Sequence, residues 1–249
     1  MKPVREVGGL FAMGLDAMVL MFRPPFAWRE FLLQTWFVAR VSIMPTLTLS
    51  IPFTVLTTFI LNILLIEFGA ADFSGSGAAL GAVTQIGPIV TVLVIAGAGA
   101  TAMCADLGAR TIREELDALR VLGINPVQAL VVPRILAATL VSLLLSSLVT
   151  LVGLAGGYVF SVFLQGVNPG AFINGLTVLT GLGELVLAEI KALLFGVVAG
   201  LVGCYRGLTV KGGPKGVGNA VNETVVYAFI CLFVINVIMT AVGVRVLAR

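Results

Sequence analysis

Histidine is absent from this chain of 249 residues, so the commonest metal ligand and the commonest general base are both missing. Cys104, Cys204 and Cys231 are widely separated and fall in or beside apolar runs, which reads as packing, not as a disulfide framework or a zinc site. No catalytic residue and no metal-ligand set is assigned. Two ionisable residues, Glu189 and Lys191, lie inside an apolar stretch, where charge is costly and therefore carries a functional expectation. Two positions apart on a helix, they point to different faces and cannot pair with each other. They either line a polar path or pair with another helix. Lys191 lies two turns deeper than Glu184 and has the reach to snorkel outward.

The densest charged cluster is Arg113, Glu114, Glu115, Asp117 and Arg120, with Ala118 and Val121 between and after them and Gly123 closing the run. Thr111-x-x-Glu114 reads as a capping box, and Gly123 and Pro126 stop the helix. The spacing predicts a helix from Ile112 to Leu122, about 11 residues and roughly 17 Å long. Ile112, Leu116 and Leu119 share one face. A helix this short is marginal alone in water, so it either caps the protein's own surface or docks on a partner.

Glycine-rich motifs suggest nucleotides until their context is read. Gly97-Ala-Gly99-Ala-Thr-Ala102 fits a dinucleotide fingerprint, but it lies deep in an apolar stretch with no strand before it. Close helix packing is the reading for it, for Gly153-x-x-x-Gly157 and for Gly196-x-x-x-Gly200. Lys211-Gly-Gly-Pro-Lys215-Gly lacks the order of a Walker phosphate loop, which occurs nowhere in the chain, and reads as a glycine-rich turn.

The elements that must carry these residues follow from composition. Hydrophobic residues make up 59% and charged residues 11% of the chain, and the mean hydropathy is +1.12; a soluble domain carries about 25% charge. The fold class is an all-α integral membrane protein. A helix needs about 20 apolar residues to cross the bilayer, and five runs qualify: Ser42–Ile66, Gly81–Ala105, Ile135–Gln165, Leu185–Cys204 and Val225–Val244. Lys and Arg collect before the first run, between the second and third and after the fourth; the loops 67–80 and 166–183 have none. The positive-inside rule puts the N-terminus in the cytoplasm and, with an odd number of spans, the C-terminus outside, where Arg245 and Arg249 sit on the unfavoured side. No face gathers enough basic residues for nucleic acid.

Residues 1–41 are expected to form an interfacial helix and connector, and 42–249 the transmembrane domain. Val7, Leu10, Phe11, Gly14, Leu15, Met18 and Phe22 recur at helical spacing before the break at Pro24–Pro25, which suits a helix in the interface plane; a disordered leader is the alternative. Lys2 to Phe22 offer no long apolar core and no cleavage site, so no signal peptide is expected. Trp28 and Trp36 then fall near the membrane–water boundary.

Several ordered blocks together resemble the MlaE/YrbE permease family: Gly87-Pro88-Ile-Val-Thr, Ala96-Gly97-Ala-Gly99-Ala-Thr, Ala105-Asp106-Leu-Gly108, Glu114-Glu115-Leu-Asp117-Ala-Leu-Arg120-Val-Leu-Gly123-Ile-Asn125-Pro126 and Val132-Pro133-Arg134. Glu189-Ile-Lys191-Ala, Phe195-Gly196, Cys204-Tyr-Arg-Gly207 and Gly216-Val-Gly218-Asn-Ala-Val extend the match. The resemblance covers Ser42 to the C-terminus and is nearest to the actinobacterial YrbE proteins of mammalian-cell-entry (Mce) systems.

The resemblance implies the permease of an ABC-type lipid transporter in the bacterial inner (plasma) membrane. It implies a second permease chain, a separate cytoplasmic ATPase that carries ATP and Mg, and hexameric MCE-domain proteins above. This chain would bind no cofactor itself. By position, Arg113, Glu114, Glu115, Asp117, Ala118, Arg120, Val121 and Gly123 would couple to the ATPase. Three departures stand out: Thr84-Gln85 where relatives often have Arg-Glu, Ala98 in place of an arginine, and Asn236 in place of an acidic residue. They favour one half of a heterodimer. Leu56, Phe59, Ile60, Phe233 and Val237 are the expected substrate pathway, walled by aliphatic groups suited to lipid. A secondary transporter or channel for hydrophobic solutes is the alternative. A lipid-active enzyme lacks the acid–base groups.

Overall fold

In hydrocarbon a backbone must satisfy its own polar groups, and a helix does so within a single segment. The computed structural model describes residues 2–70 and 73–247, with side chains described over 6–70 and 73–246, and among these residues every regular element is helical. Helix α1 is Lys2–Met21, α2 is Trp28–Glu67, α3 is Ser74–Ile112 and α4 is Glu115–Val121. Then follow α5 (Val127–Leu164), α6 (Pro169–Gly175), α7 (Leu182–Leu208) and α8 (Gly213–Leu247). Helices α2, α3, α5, α7 and α8 are the five long and apolar enough to cross a membrane. Arg249, counted above against the orientation, and the side chains of Lys2 and Arg5 lie outside the described residues.

Each observed helix outruns its expected span. Helix α2 starts at Trp28, not Ser42, because no proline or glycine lies between Pro25 and Ser42. Its 40 residues correspond to about 60 Å, twice the hydrocarbon thickness. Backbone wound as π-helix recurs at Gly81–Ile86, Ile95–Ala100, Val127–Val131 and Phe160–Leu164. Two of these segments end two residues before Pro88 and Pro133. A proline ring crowds the carbonyl four residues back, here that of Thr84 or Ala129, and a wider turn relieves the clash.

The chain divides into two units, and the long helices pass from one to the other. The first comprises Met1–Ser42, Leu93–Ser142 and Leu193–Val234. At its centre is Arg134, wholly buried. Its guanidinium donates to the Leu130 carbonyl at 2.9 Å, to the Asp106 carboxylate, and to Glu30 Oε1 at 3.0 Å. Gln34 also donates to Glu30 Oε1, at 3.0 Å. One cation thus ties α2, α3 and α5 together. Helix α7 closes against this group through glycines. A Cβ on Gly196 would stand 2.4 Å from the Thr139 Cα, one on Gly200 3.1 Å from the Ile135 Cα, and one on Gly203 2.6 Å from the Ala100 carbonyl. The packing reading therefore holds for Gly196 and Gly200.

Helix α1 belongs to the same unit and is ordered along its described length, which removes the disordered-leader alternative. Its expected single apolar face is divided. Met13 and Ala17 turn inward and Gly14 packs on Leu201, whereas Val7, Phe11, Leu15, Met18 and Phe22 remain exposed. Glu6 pairs with Arg206 of α7 at 3.0 Å.

The second unit comprises Ile43–Val92, Leu143–Ala192 and Ile235–Arg249. Thr46, Ser50, Thr54, Thr58 and Asn62 recur every fourth residue on α2, and all are buried. Hydroxyls in such a row bond back to their own helix, as Thr54 does to the Ser50 carbonyl at 2.7 Å. Their small size lets α5 approach: a Cβ on Gly153 would lie 2.9 Å from Thr54 Cγ2, and one on Gly157 3.4 Å from Thr58 Oγ1. The row ends at Asn62, whose amide donates to Ser161 at 2.8 Å and to Gln165, and whose carbonyl accepts from Ser74 at 2.6 Å. Gly97 is the exception among the motif glycines: nothing lies within 4 Å of a Cβ placed there.

Two outcomes follow for detergent-solubilised protein. Arg134→Ala leaves Asp106 with Arg110 alone and Glu30 with Gln34 alone, and should lower stability by about 3 kcal/mol, read as a fall in thermal midpoint. Replacing the set together, with Glu30→Gln, Asp106→Asn and Arg134→Met, should recover much of that loss. Gly196→Val should cost about 1–3 kcal/mol or more because the obstruction is backbone, whereas Gly97→Ala should leave the midpoint unchanged.

Candidate functional site

The charged cluster near residue 115 sits where two helices meet at a sharp corner. Helix α3 ends at Ile112, and Glu114 adopts φ of 58°, the left-handed region that non-glycine residues seldom occupy. Helix α4 starts only at Glu115 and ends at Val121, seven residues in place of the expected eleven. The capping box is also absent. Thr111 is still inside α3 and its hydroxyl donates to the carbonyls of Leu107 at 2.8 Å and Gly207 at 3.0 Å, and Glu114 makes no side-chain cap. The pattern matched, but α3 continues through Thr111 because α7 offers its hydroxyl a carbonyl.

The stop signals act as expected. Gly123 has φ of 75°, its amide donates to the Arg120 carbonyl at 3.0 Å, and Ile124 donates to the Leu119 carbonyl at 2.9 Å. This is a Schellman closure, which requires the left-handed residue at Gly123. Asn125 Oδ1 accepts from the Val127 amide at 2.9 Å and begins α5.

Burial fixes what α4 presents. Leu116 is buried with Met13, Leu107, Leu130, Val131 and Cys204, and Leu119 packs against the same group. On the opposite side Arg113, Glu114, Asp117, Ala118 and Arg120 are exposed and Glu115 is half-buried. Arg113 pairs with Glu115 at 2.9 Å and Arg120 with Asp117 at 2.7 Å; such exposed pairs contribute little stability. At the tip, Val121 is 87% and Leu122 72% exposed, with Ile124 beside them at 43%. Sequence reading took Val121 as one contact among several and missed Leu122 and Ile124. Their apolar character next to the Gly123 stop was the available signal.

The intramembrane pair is separated, each residue engaging a different helix in the second unit. Ser147 of α5 donates to Glu189 Oε1 at 3.0 Å. Lys191 does not snorkel: it is only 2% exposed, and its Nζ donates to Thr240 Oγ1 of α8 at 2.8 Å. Beside it lies a cavity of about 560 Å³ lined by α2, α3, α7 and α8, with Lys191, Thr84, Gln85, Glu184 and Thr240 as its polar wall. Glu184 is half-buried, and one of its oxygens accepts from the Gly181 amide at 2.8 Å.

Leu56, Phe59, Ile60, Phe233 and Val237 all lie exposed on α2 or α8. The cavity is instead lined by their neighbours Thr57 and Leu61. Phe59 meets Phe160 edge-on at 5.7 Å, and Phe233 stacks on Phe229 at 6.1 Å. Within their most apolar stretches α2 and α8 are 22% and 11% buried, against 67% for α3, so these two helices carry the open apolar faces.

Comparison with known proteins agrees with the motifs. The family model "Permease MlaE" matches residues 31–242. A probable ABC transporter permease protein of Synechocystis sp. is 37% identical over 171 residues, 69% of this chain and 65% of that protein. The chloroplastic protein TRIGALACTOSYLDIACYLGLYCEROL 1 of Arabidopsis thaliana is 29% identical over 157 residues, 63% of this chain and 45% of its own length. The intermembrane phospholipid transport system permease protein MlaE of Haemophilus influenzae is 28% identical over 181 residues, 72% of this chain and 69% of that protein. The matched stretch thus spans about two thirds of the first relative and under half of the second. With 212 consecutive residues inside one family model and five membrane-length helices that carry its motif glycines, this chain belongs to the MlaE permease family.

Proposed function

We propose that this chain is the membrane subunit of an ATP-driven lipid transporter of the bacterial inner membrane, working with a separate ATPase that binds ATP and Mg. The observation that carries the reading is the exposed tip of α4. Leu116 and the Schellman closure at Gly123 hold α4 rigidly against the first unit, yet Val121 and Leu122 stand open beside Arg113, Asp117 and Arg120. An anchored element with apolar residues ringed by charge fits a protein partner: the apolar centre supplies affinity and the charges select the partner. Names given to relatives, ABC transporter permease and intermembrane phospholipid transport permease, point the same way.

In this reading α4 and the N-terminus face the cytoplasm and the C-terminus faces outward. The open faces of α2 and α8, with Leu56, Phe59, Ile60, Phe233 and Val237, meet a second permease chain and the lipid that moves between them. Ala98 and Asn236 thin the polar groups of the membrane region, which favours a sister chain that retains the charges, and MCE-domain proteins continue the path above.

Affinity purification of the tagged chain under gentle extraction, with mass spectrometry of every co-purifying protein, should recover an ATPase, MCE-domain proteins and a second permease. A chain that comes out alone and stable removes the coupling role of α4. Leu122→Asp with Arg120→Glu should cut ATPase recovery by roughly 30-fold or more, as loss of an interface centre does. Because both residues are exposed, the thermal midpoint of the chain alone should not move. Recovery of the permease homodimer alone, with full transport, would refute the heterodimer.

A further inference from the structure

Lys191 is the one lysine buried among the described residues, and within hydrocarbon an ammonium without a counter-charge is expensive. Nine positions beyond the start of α7 at Leu182, it lies about 13 Å along the helix. Its Nζ has one hydrogen-bond partner among the described residues, Thr240, whose own hydroxyl donates to the Asn236 carbonyl at 2.7 Å. No described carboxylate pairs with it: Glu189 faces Ser147, and Glu184 accepts from the Gly181 amide two turns away. An ammonium has three donors, so two remain. The cavity beside it combines an aliphatic wall, Leu61, Leu80, Leu187 and Val244, with the polar groups Thr84, Gln85 and Thr240, and it is also lined by Glu184. Its volume of about 560 Å³ is in the range of small-molecule sites.

We propose that this cavity is a binding site for an amphiphile with a single acidic head group, a phosphate diester or a carboxylate, and that Lys191 is its anion-binding residue. Oxygens of the head group accept the two free ammonium protons, Thr84 and Gln85 supply further polar contact, and the chain lies along Leu61, Leu80, Leu187 and Val244. Glu184, which also lines the cavity, disfavours a second negative charge. The assignment rests on the lipid-transport reading for its ligand class but uses residues of the second unit only.

The test is native mass spectrometry of the purified chain in detergent, with phosphatidylglycerol, oleate or uncharged diacylglycerol added, and inorganic phosphate as competitor. The wild-type chain and Lys191→Arg should each retain one phosphatidylglycerol or oleate. Lys191→Met should lose that retention by roughly tenfold or more, the weight of a charge-assisted contact. Its thermal midpoint should hold or rise, because an apolar isostere replaces an uncompensated charge. Preference between phosphatidylglycerol and oleate identifies the head group as phosphate or carboxylate. Displacement by inorganic phosphate would overturn the lipid in favour of a free anion. Equal retention by Lys191→Met, or diacylglycerol binding as tightly as the acidic lipids, would overturn the site. Failure to recover an ATPase with intact Lys191-dependent retention would refute the transporter reading and leave the site standing; the reverse pattern would do the opposite.

Discussion

A guanidinium buried out of water must be surrounded by acceptors, and in this protein that requirement sets where three membrane helices lie. Arg134 draws the Asp106 carboxylate from α3, Glu30 from the early part of α2 and the Leu130 carbonyl from its own helix. Apolar side chains alone would not define the register, since in a bilayer the lipid competes with protein for every aliphatic surface. Directional bonds to a fixed fork do define it. The glycines of α7 approach α3 and α5 closely because they carry no Cβ.

The same logic operates in the second unit with neutral groups. A row of hydroxyls on α2 ends in Asn62, whose amide and carbonyl are both satisfied by α3 and α5. These hydroxyls are small enough to permit close helix approach, and Ser50 and Thr54 bond back to carbonyls of their own helix. Against this background Lys191 is different in kind. Its surroundings satisfy one donor where Arg134 is given several acceptors, and an open cavity adjoins it in place of a packed wall.

Helix α4 shows how stability and partner recognition are separated within seven residues. Its inner face, through Leu116, joins a core that also holds Met13 of α1 and Cys204 of α7. The outer face is charged, and the apolar tip is left open. A helix of this length gains too little from its own hydrogen bonds to persist alone. Rigidity comes from what lies beneath it, which leaves the exposed residues unconstrained by folding.

How much was legible in the sequence follows from range. The five spans, the helical class and the stop at Gly123 depend on local composition and on backbone preferences within a few residues, and those forces act in any context. Family membership was legible too, because its motifs are ordered blocks. The helix ends were less legible: α2 runs on to Trp28 since charged residues outside the bilayer are as helix-competent as apolar ones inside it. Thr111 and Glu114 matched a capping pattern, yet a carbonyl of Gly207, distant in sequence, claimed the hydroxyl. Arg134 read as one more basic residue beside a span, because its partners lie 28 and 104 positions away. Lys191 was recognisable as an intramembrane charge, but its inward turn toward Thr240 depends on α8 arriving at that depth. Local preference determined which segments are helices; only the folded chain, where desolvated groups must find partners across long separations, decided that Arg134 meets two carboxylates and that Lys191 meets a single hydroxyl.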